Sequence, residues 1–167
     1  MINFIVKDYM TQFQKINLFL LRISVGWFMF YAGITKVLNP DWSAAKYLTH
    51  AKTFSNFFMW FAKPEILSIT NFINEWGLVF LGVSLILGLF VRISSFFGVL
   101  LMILYYFPIL EFPYIKPHSF IVDEHIIYAL VFLLLASLKA GRVWGLENWC
   151  FNLLIFSKFP KLREWIE

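Results

Sequence analysis

The chain alternates long apolar stretches with short polar segments. Four stretches reach or approach the roughly 20 residues that a helix needs to cross a bilayer, and they cover residues 16–38, 72–91, 93–110 and 120–138. No stretch shows the strict alternation of a half-buried strand, so helices are favoured over a barrel. The pattern predicts an all-α integral membrane protein, a single membrane domain built as a four-transmembrane-helix bundle.

Two further segments are amphipathic. In the first long loop, large apolar residues recur at helical spacing among Lys46, His50 and Lys52, which predicts a helix over about residues 43–62. That helix would lie along the membrane surface or cap the bundle, and a plain connector helix explains the spacing equally well. The C-terminal tail, about residues 149–166, is also amphipathic and is predicted to lie at the membrane interface.

Composition supports a membrane location. Of the 167 residues, 60% are hydrophobic and 21% aromatic, and the mean hydropathy is +0.74. A soluble domain of this size has too little interior to bury that much apolar surface. The net charge of +4 is dispersed along the chain, unlike the basic patch of a nucleic-acid-binding protein. We therefore expect membrane lipids, and no nucleic acid, as partners.

The distribution of basic residues predicts the orientation. With four spans, both termini lie on the same side as the turn between the second and third spans. Nine of the 14 lysines and arginines fall on that side and five on the other. Since positive charge accumulates on the cytoplasmic side, we expect a multi-pass protein of the inner cell membrane with both termini in the cytoplasm.

One face of the first span carries an unusual set of side chains. Arg22, Gly26, Met29, Gly33 and Lys36 follow one another at steps of four and three, which places them on one helical stripe. Lipid offers no partner for such a stripe, so we expect this face to look into the protein.

Arginines are expected near the cytoplasmic ends of the spans. Guanidinium groups suit oxyanions, so Arg22 and Arg92 are candidates for contact with an anionic substrate. Alternatively, they are ordinary anchors that extend to lipid head groups.

A second polar group is expected at the opposite ends of the spans. A lysine paired with a glutamate, beside a histidine and further carboxylates, suits proton-coupled reduction of a quinone head group or recognition of a small polar ligand. A structural hydrogen-bond network is the alternative. The predicted catalytic residues are Lys36, Glu75 and His125, and the predicted substrate contacts here are Trp42, Trp76, Asp123 and Glu124.

Metal and dithiol chemistry are not expected within this chain. The three histidines, His50, His118 and His125, lack the spacing of a metal motif. The single cysteine, Cys150, excludes an internal disulfide or a CxxC pair. No metal or haem site is predicted.

Several motifs resemble those of the DoxX/DoxD family. They are Leu21-Arg22-x3-Gly26-x3-Phe30-x2-Gly33-x2-Lys36, Asn39-Pro40-Asp41-Trp42, Asn74-Glu75-Trp76-Gly77, Asp123-Glu124-His125 and the segment from Gly141 to Asn148. The resemblance implies a four-helix membrane protein of bacteria or archaea. DoxD-like members are subunits of a thiosulfate:quinone oxidoreductase, and the family offers no firmly assigned catalytic residues.

These observations predict a membrane subunit of a quinone-linked oxidoreductase. Thiosulfate or another small sulfur compound would be the donor and quinone the acceptor substrate, and a partner subunit or a homo-oligomer is expected. The alternative is a non-enzymatic anchor or assembly subunit, or a membrane protein that binds a lipid or small ligand. A small transporter is less favoured, because few charges lie in mid-span.

Overall fold

The computed structural model describes residues 10–151, except the side chains of Asn148 and Phe151, and the predicted C-terminal tail lies almost entirely outside this range. The described chain is mainly helical. Its elements in order are α1 (Gln12–Val37), α2 (Ala45–Thr49), α3 (Ser55–Phe61), α4 (Pro64–Leu87), α5 (Val91–Ile109), a hairpin of β1 (Tyr114–Lys116) and β2 (Ser119–Phe120), α6 (Glu124–Ser137), a 3-10 turn (Ala140–Arg142) and α7 (Glu147–Phe151).

Three helices, α1, α4 and α5, are long and apolar enough to cross a membrane. The fourth apolar helix, α6, has 14 residues and is about 21 Å long at 1.5 Å per residue. It is shorter than the predicted stretch 120–138, because Phe120 pairs in the hairpin and Asp123 caps the helix. The Asp123 carboxylate accepts from the backbone N–H of His125 at 3.0 Å and of Ile126 at 3.3 Å.

Helix α4 begins at Pro64, eight residues before the apolar stretch 72–91 from which the second span was predicted. Pro64 occupies the first turn, where its missing N–H costs nothing, and the helix continues to Gly88, which ends it with φ of 64°. Residues 88–90 therefore make the turn to α5. Arg92, expected to form that turn, instead lies in the first turn of α5.

The first long loop forms two short helices, α2 and α3, where one helix over 43–62 was predicted. The chain between them does not stay helical, because Phe54, directly before α3, has a left-handed backbone with φ of 54°. The connector is bound to the C-terminal end of α5, where the last carbonyls of a helix lack the usual partner four residues further on. Three of its donors bind carbonyls there: Tyr47 Oη binds Tyr105 O, Lys52 N binds Pro108 O at 2.8 Å, and Thr53 Oγ1 binds Leu110 O at 2.6 Å. We call residues 42–62 the connector cap, and the bundle end that they cover the capped end.

The helices pack as two close pairs, α1 with α4 and α5 with α6. Glycines permit the first pair: a Cβ on Gly33 would lie 2.6 Å from the Val79 backbone nitrogen, and one on Gly26 would lie 2.9 Å from Leu85 Cβ. Four members of the stripe on α1 (Arg22, Gly26, Met29 and Gly33) are buried, which confirms that this face looks into the protein. Helices α4 and α5 touch little and leave an apolar groove between them.

Candidate functional site

A polar network lies at the capped end, where three helices each contribute one side chain. Lys36 Nζ from α1 donates to Asn74 Oδ1 from α4 at 2.8 Å. Tyr105 Oη from α5 lies 2.6 Å from Asn74 Nδ2 and 3.4 Å from Lys36 Nζ. We call Lys36, Asn74 and Tyr105 the polar network.

The donors and acceptors of this network follow from the chemistry of lysine. An ammonium group only donates, so it selects the orientation of Asn74 in which the amide oxygen faces Lys36. The amide nitrogen of Asn74 then faces Tyr105 and donates to its hydroxyl oxygen. Consequently the hydroxyl proton of Tyr105 remains available, and no side chain in the described part of the chain accepts it.

The connector cap covers the network. The Trp42 ring lies 4.7 Å from Lys36 Nζ in a cation–π contact. Tyr47 packs edge-on against the Tyr105 ring at 6.2 Å. Burial raises the pKa of Tyr47 above its ordinary value, and the charges of Asp123 and Glu124 act in the same direction. The phenol thus remains a neutral donor at physiological pH.

A histidine–carboxylate pair lies beside the network. His125 Nδ1 is 2.6 Å from Asp123 Oδ2, and the Asp123 side chain is fully buried. Because the carboxylate accepts, Nδ1 carries the proton, and Nε2 of the neutral ring is left as an acceptor. The imidazole ring lies edge-on to Tyr105 with centroids 5.9 Å apart. The structure thus places an oriented proton acceptor next to the tyrosine.

Of the site residues predicted for this end of the bundle, Glu75, Trp76 and Glu124 lie apart from the polar network. Glu75 is half-buried and makes no direct ion pair with Lys36. Its carboxylate interacts with the lysine only by longer-range electrostatic attraction. Trp76 is half-buried and lies between two exposed rings of α4, both tilted against it: Phe72 at 6.3 Å and Phe80 at 5.8 Å between centroids.

Glu124 is exposed and forms an ion pair with Lys116 of the hairpin. Hydrogen bonding to Glu124 raises the pKa of Lys116. The structure therefore brings Lys36, Trp42 and the Asp123–His125 pair together around Tyr105, and places Glu75, Trp76 and Glu124 outside that group.

The sequence interpretation did not place Asn74, Tyr105 or Tyr47 in the site. A polar side chain within an apolar run is a signal for Asn74 and Tyr105, but helical spacing alone does not show that the two converge, and Tyr47 lies in the connector outside every such run. Tyr105 lies in a run with Tyr106, whose hydroxyl donates instead to the Ile121 carbonyl at 2.7 Å.

Asp123, Glu124 and His125 also place one potential metal-ligand atom each within 4.8 Å of one another. Each of these three residues is already engaged in a hydrogen bond or an ion pair. Asp123 caps α6 and holds His125, and Glu124 is paired with Lys116. The arrangement therefore favours capping and pairing over metal coordination.

Arg22 lies at the opposite, turn end of the bundle and is completely buried. Its Nη1 donates to Ala140 O at 2.5 Å and its Nη2 lies 3.3 Å from Trp144 O, which joins α1 to the segment after α6. This geometry favours a structural role over anion contact. Arg92 is half-buried at the start of α5, and its predicted contact with an anion stays a prediction.

The polar residues of both ends lie on helices that a family model recognises. The model described as DoxX matches residues 17–109, more than half of the chain. The chain belongs to the DoxX family. The DoxX match spans α1 to α5 and so includes Arg22 and the polar network, but not α6 with its Asp123–His125 pair. This result confirms the family and the helical membrane fold predicted from the motifs. No curated protein and no solved structure matches the chain.

Proposed function

We propose that this DoxX chain binds the head group of a membrane quinone at the polar network, as the membrane subunit of a quinone-linked oxidoreductase. The observation that carries the proposal is the unused hydroxyl proton of Tyr105 beside the Lys36 ammonium. Quinone carbonyl oxygens are hydrogen-bond acceptors, and two donors at one point match them. Charged and polar groups at membrane depth commonly mark functional sites.

The Asp123–His125 pair supports a role in proton transfer. Reduction of a quinone to a quinol takes up two electrons and two protons. Tyr105 and Lys36 would donate hydrogen bonds to the quinone oxygens. His125, which Asp123 orients, would take up and release protons at the capped end of the bundle. All the hydrogen-bonding and proton-exchanging groups in this scheme belong to the chain, and the quinone is a substrate.

The electron donor would be thiosulfate or another small sulfur compound, as the resemblance to DoxD-like proteins implies. The one cysteine excludes dithiol chemistry within this chain. We therefore propose that a partner subunit oxidises the sulfur compound and passes electrons to the bound quinone.

The test is quinone binding by the purified chain in nanodiscs, followed by quenching of tryptophan emission, since Trp42 lies beside Lys36. We expect Tyr105→Phe and Lys36→Met each to weaken binding about tenfold, because each removes one hydrogen bond to the ligand. Tyr106→Phe is the matched control: it removes the neighbouring hydroxyl, which binds Ile121 O outside the network.

The outcomes separate the candidate functions. Absence of quinone binding by the wild-type chain, or equal binding by all three variants, contradicts the proposed site. If quinone binds and thiosulfate drives its reduction only when a co-purified partner is present, the chain is the quinone-binding subunit. Binding without any reduction in either preparation favours the alternative of a ligand-binding or anchoring subunit.

A further inference from the structure

The groove between α4 and α5 is apolar and opens to the outside of the bundle. Its volume is about 510 Å³, and it is lined by side chains of both helices. Phe80 and Phe97 on its rims are 64% and 66% exposed, as expected of residues that face lipid. The groove is therefore reached from the hydrocarbon region of the membrane.

Gly77 makes the groove deeper on the α4 side. A Cβ at this position would have no neighbour within 4 Å, whereas Gly26 and Gly33 lie in close helix contact. Glycine inside a helix costs about 1 kcal/mol relative to alanine, and at Gly77 no packing contact requires it. Its consequence in the structure is open space in the groove.

The polar network lies beside the capped end of the groove. Ile73 and Leu104 line the groove nearest that end, and Asn74 and Tyr105 follow them directly in the chain. Towards the turn end the groove reaches Ser84 and Ser94, whose hydroxyls are 2.6 Å apart. From Ile73 to Leu87 the groove follows α4 for about 21 Å.

We propose that this groove binds the isoprenoid chain of the quinone, with the head group at Tyr105 and Lys36. The inference rests on the proposed function, since it adds the tail to the same ligand. A long apolar groove whose capped end lies beside a phenol and an ammonium group matches a molecule with a small accepting head and a long apolar tail. The groove then selects long-tailed quinones and holds them at the network.

The experiment compares a tail-less benzoquinone with a long-chain ubiquinone in nanodiscs. We expect the wild-type chain to bind the long-chain quinone at least tenfold more tightly. Gly77→Leu fills the groove and, because leucine favours helix, does not threaten folding. We expect it to abolish this preference while binding of the tail-less quinone stays unchanged. Ser24→Leu is the matched control, because it adds the same side chain on the exposed face of α1.

Four results overturn the proposal. Equal affinity of the wild-type chain for both quinones, or a Gly77→Leu chain with unaltered tail preference, removes the groove but leaves the head-group site in place. Failure of both quinones to bind removes the proposed function together with the groove. If Gly77→Leu instead loses a co-purifying phospholipid and keeps its quinone affinities, the groove holds a lipid acyl chain.

Discussion

At the residue scale, Lys36 determines how the hydrogen bonds of the candidate site are arranged. Lys36 selects the orientation of Asn74, and Asn74 in turn leaves the Tyr105 proton free to donate. The sequence pattern paired Lys36 with Glu75, whereas in the structure the lysine contacts Asn74, the neighbour of Glu75. Asn74 and Glu75 are about 100° apart around α4, so a small rotation of that helix decides which of them meets the lysine.

Arg22 gives a prediction at the same scale. Arg22→Met removes both donors to the carbonyls of Ala140 and Trp144 and leaves those acceptors in a buried site. We expect a loss of about 3 kcal/mol in stability, since a hydrogen bond to a charged group contributes about 1.5–3 kcal/mol. Thermal unfolding in detergent measures this, and Lys46→Met, an exposed lysine of α2, is the control. If Arg22→Met unfolds at the wild-type temperature while losing affinity for an anionic substrate, Arg22 contacts the anion instead.

At the element scale, the site depends on two helix contacts. The glycines of α1 and α4 bring Lys36 and Asn74 within hydrogen-bond distance, and the connector cap covers the pair by satisfying the last carbonyls of α5. A helix end without such partners would leave buried polar groups unpaired. The connector is therefore part of the site and not only a link between spans.

The close α1–α4 contact predicts that an alanine substitution lowers stability at Gly33 but not at Gly77. Gly33→Ala places a Cβ against the Val79 backbone nitrogen and the Glu75 carbonyl oxygen, so the helices must move apart. We expect a destabilisation of about 1–3 kcal/mol and weaker quinone binding. Gly77→Ala makes the same change on the same pair of elements in open space, and should unfold at or slightly above the wild-type temperature. Equal melting temperatures for the two variants would contradict close packing at Gly33.

The connector cap predicts a response to alkaline pH. Because burial raises the pKa of Tyr47, the unfolded chain releases this proton first as the pH rises. The contribution of Tyr47 to stability is therefore fully present below its ordinary pKa near 10 and declines above it. We expect Tyr47→Phe to be about 1 kcal/mol less stable near neutral pH, and the gap to the wild-type chain to narrow above about pH 10. Thermal unfolding of both chains across that range tests the sign; a widening gap contradicts it.

At the scale of the whole molecule, the charge distribution predicts which end of the bundle faces the cytoplasm. We expect the capped end, with its polar network, on the outer side of the membrane and Arg22 on the cytoplasmic side. In a Cys150→Ser background, Ser55→Cys should react with a membrane-impermeant maleimide in intact cells, and Lys139→Cys only in inverted vesicles. Both positions are exposed. The reverse labelling pattern would place the quinone site on the cytoplasmic side.

The sequence alone determined the class of the protein, because membrane insertion depends on the local sum of apolar residues and not on what they contact. It also determined the buried stripe of α1, since periodicity within one helix needs no knowledge of its neighbours. Family membership followed from motifs within single segments.

Only the tertiary structure decided which polar residues meet. The rotation of α4 selects Asn74 over Glu75, the divergence of α4 from α5 opens the groove, and the left-handed Phe54 divides the connector so that it fits over the end of α5. Each of these depends on contacts between segments far apart in the chain. A periodic pattern in the sequence indicates which face of a helix is buried, but not which other segment packs against that face.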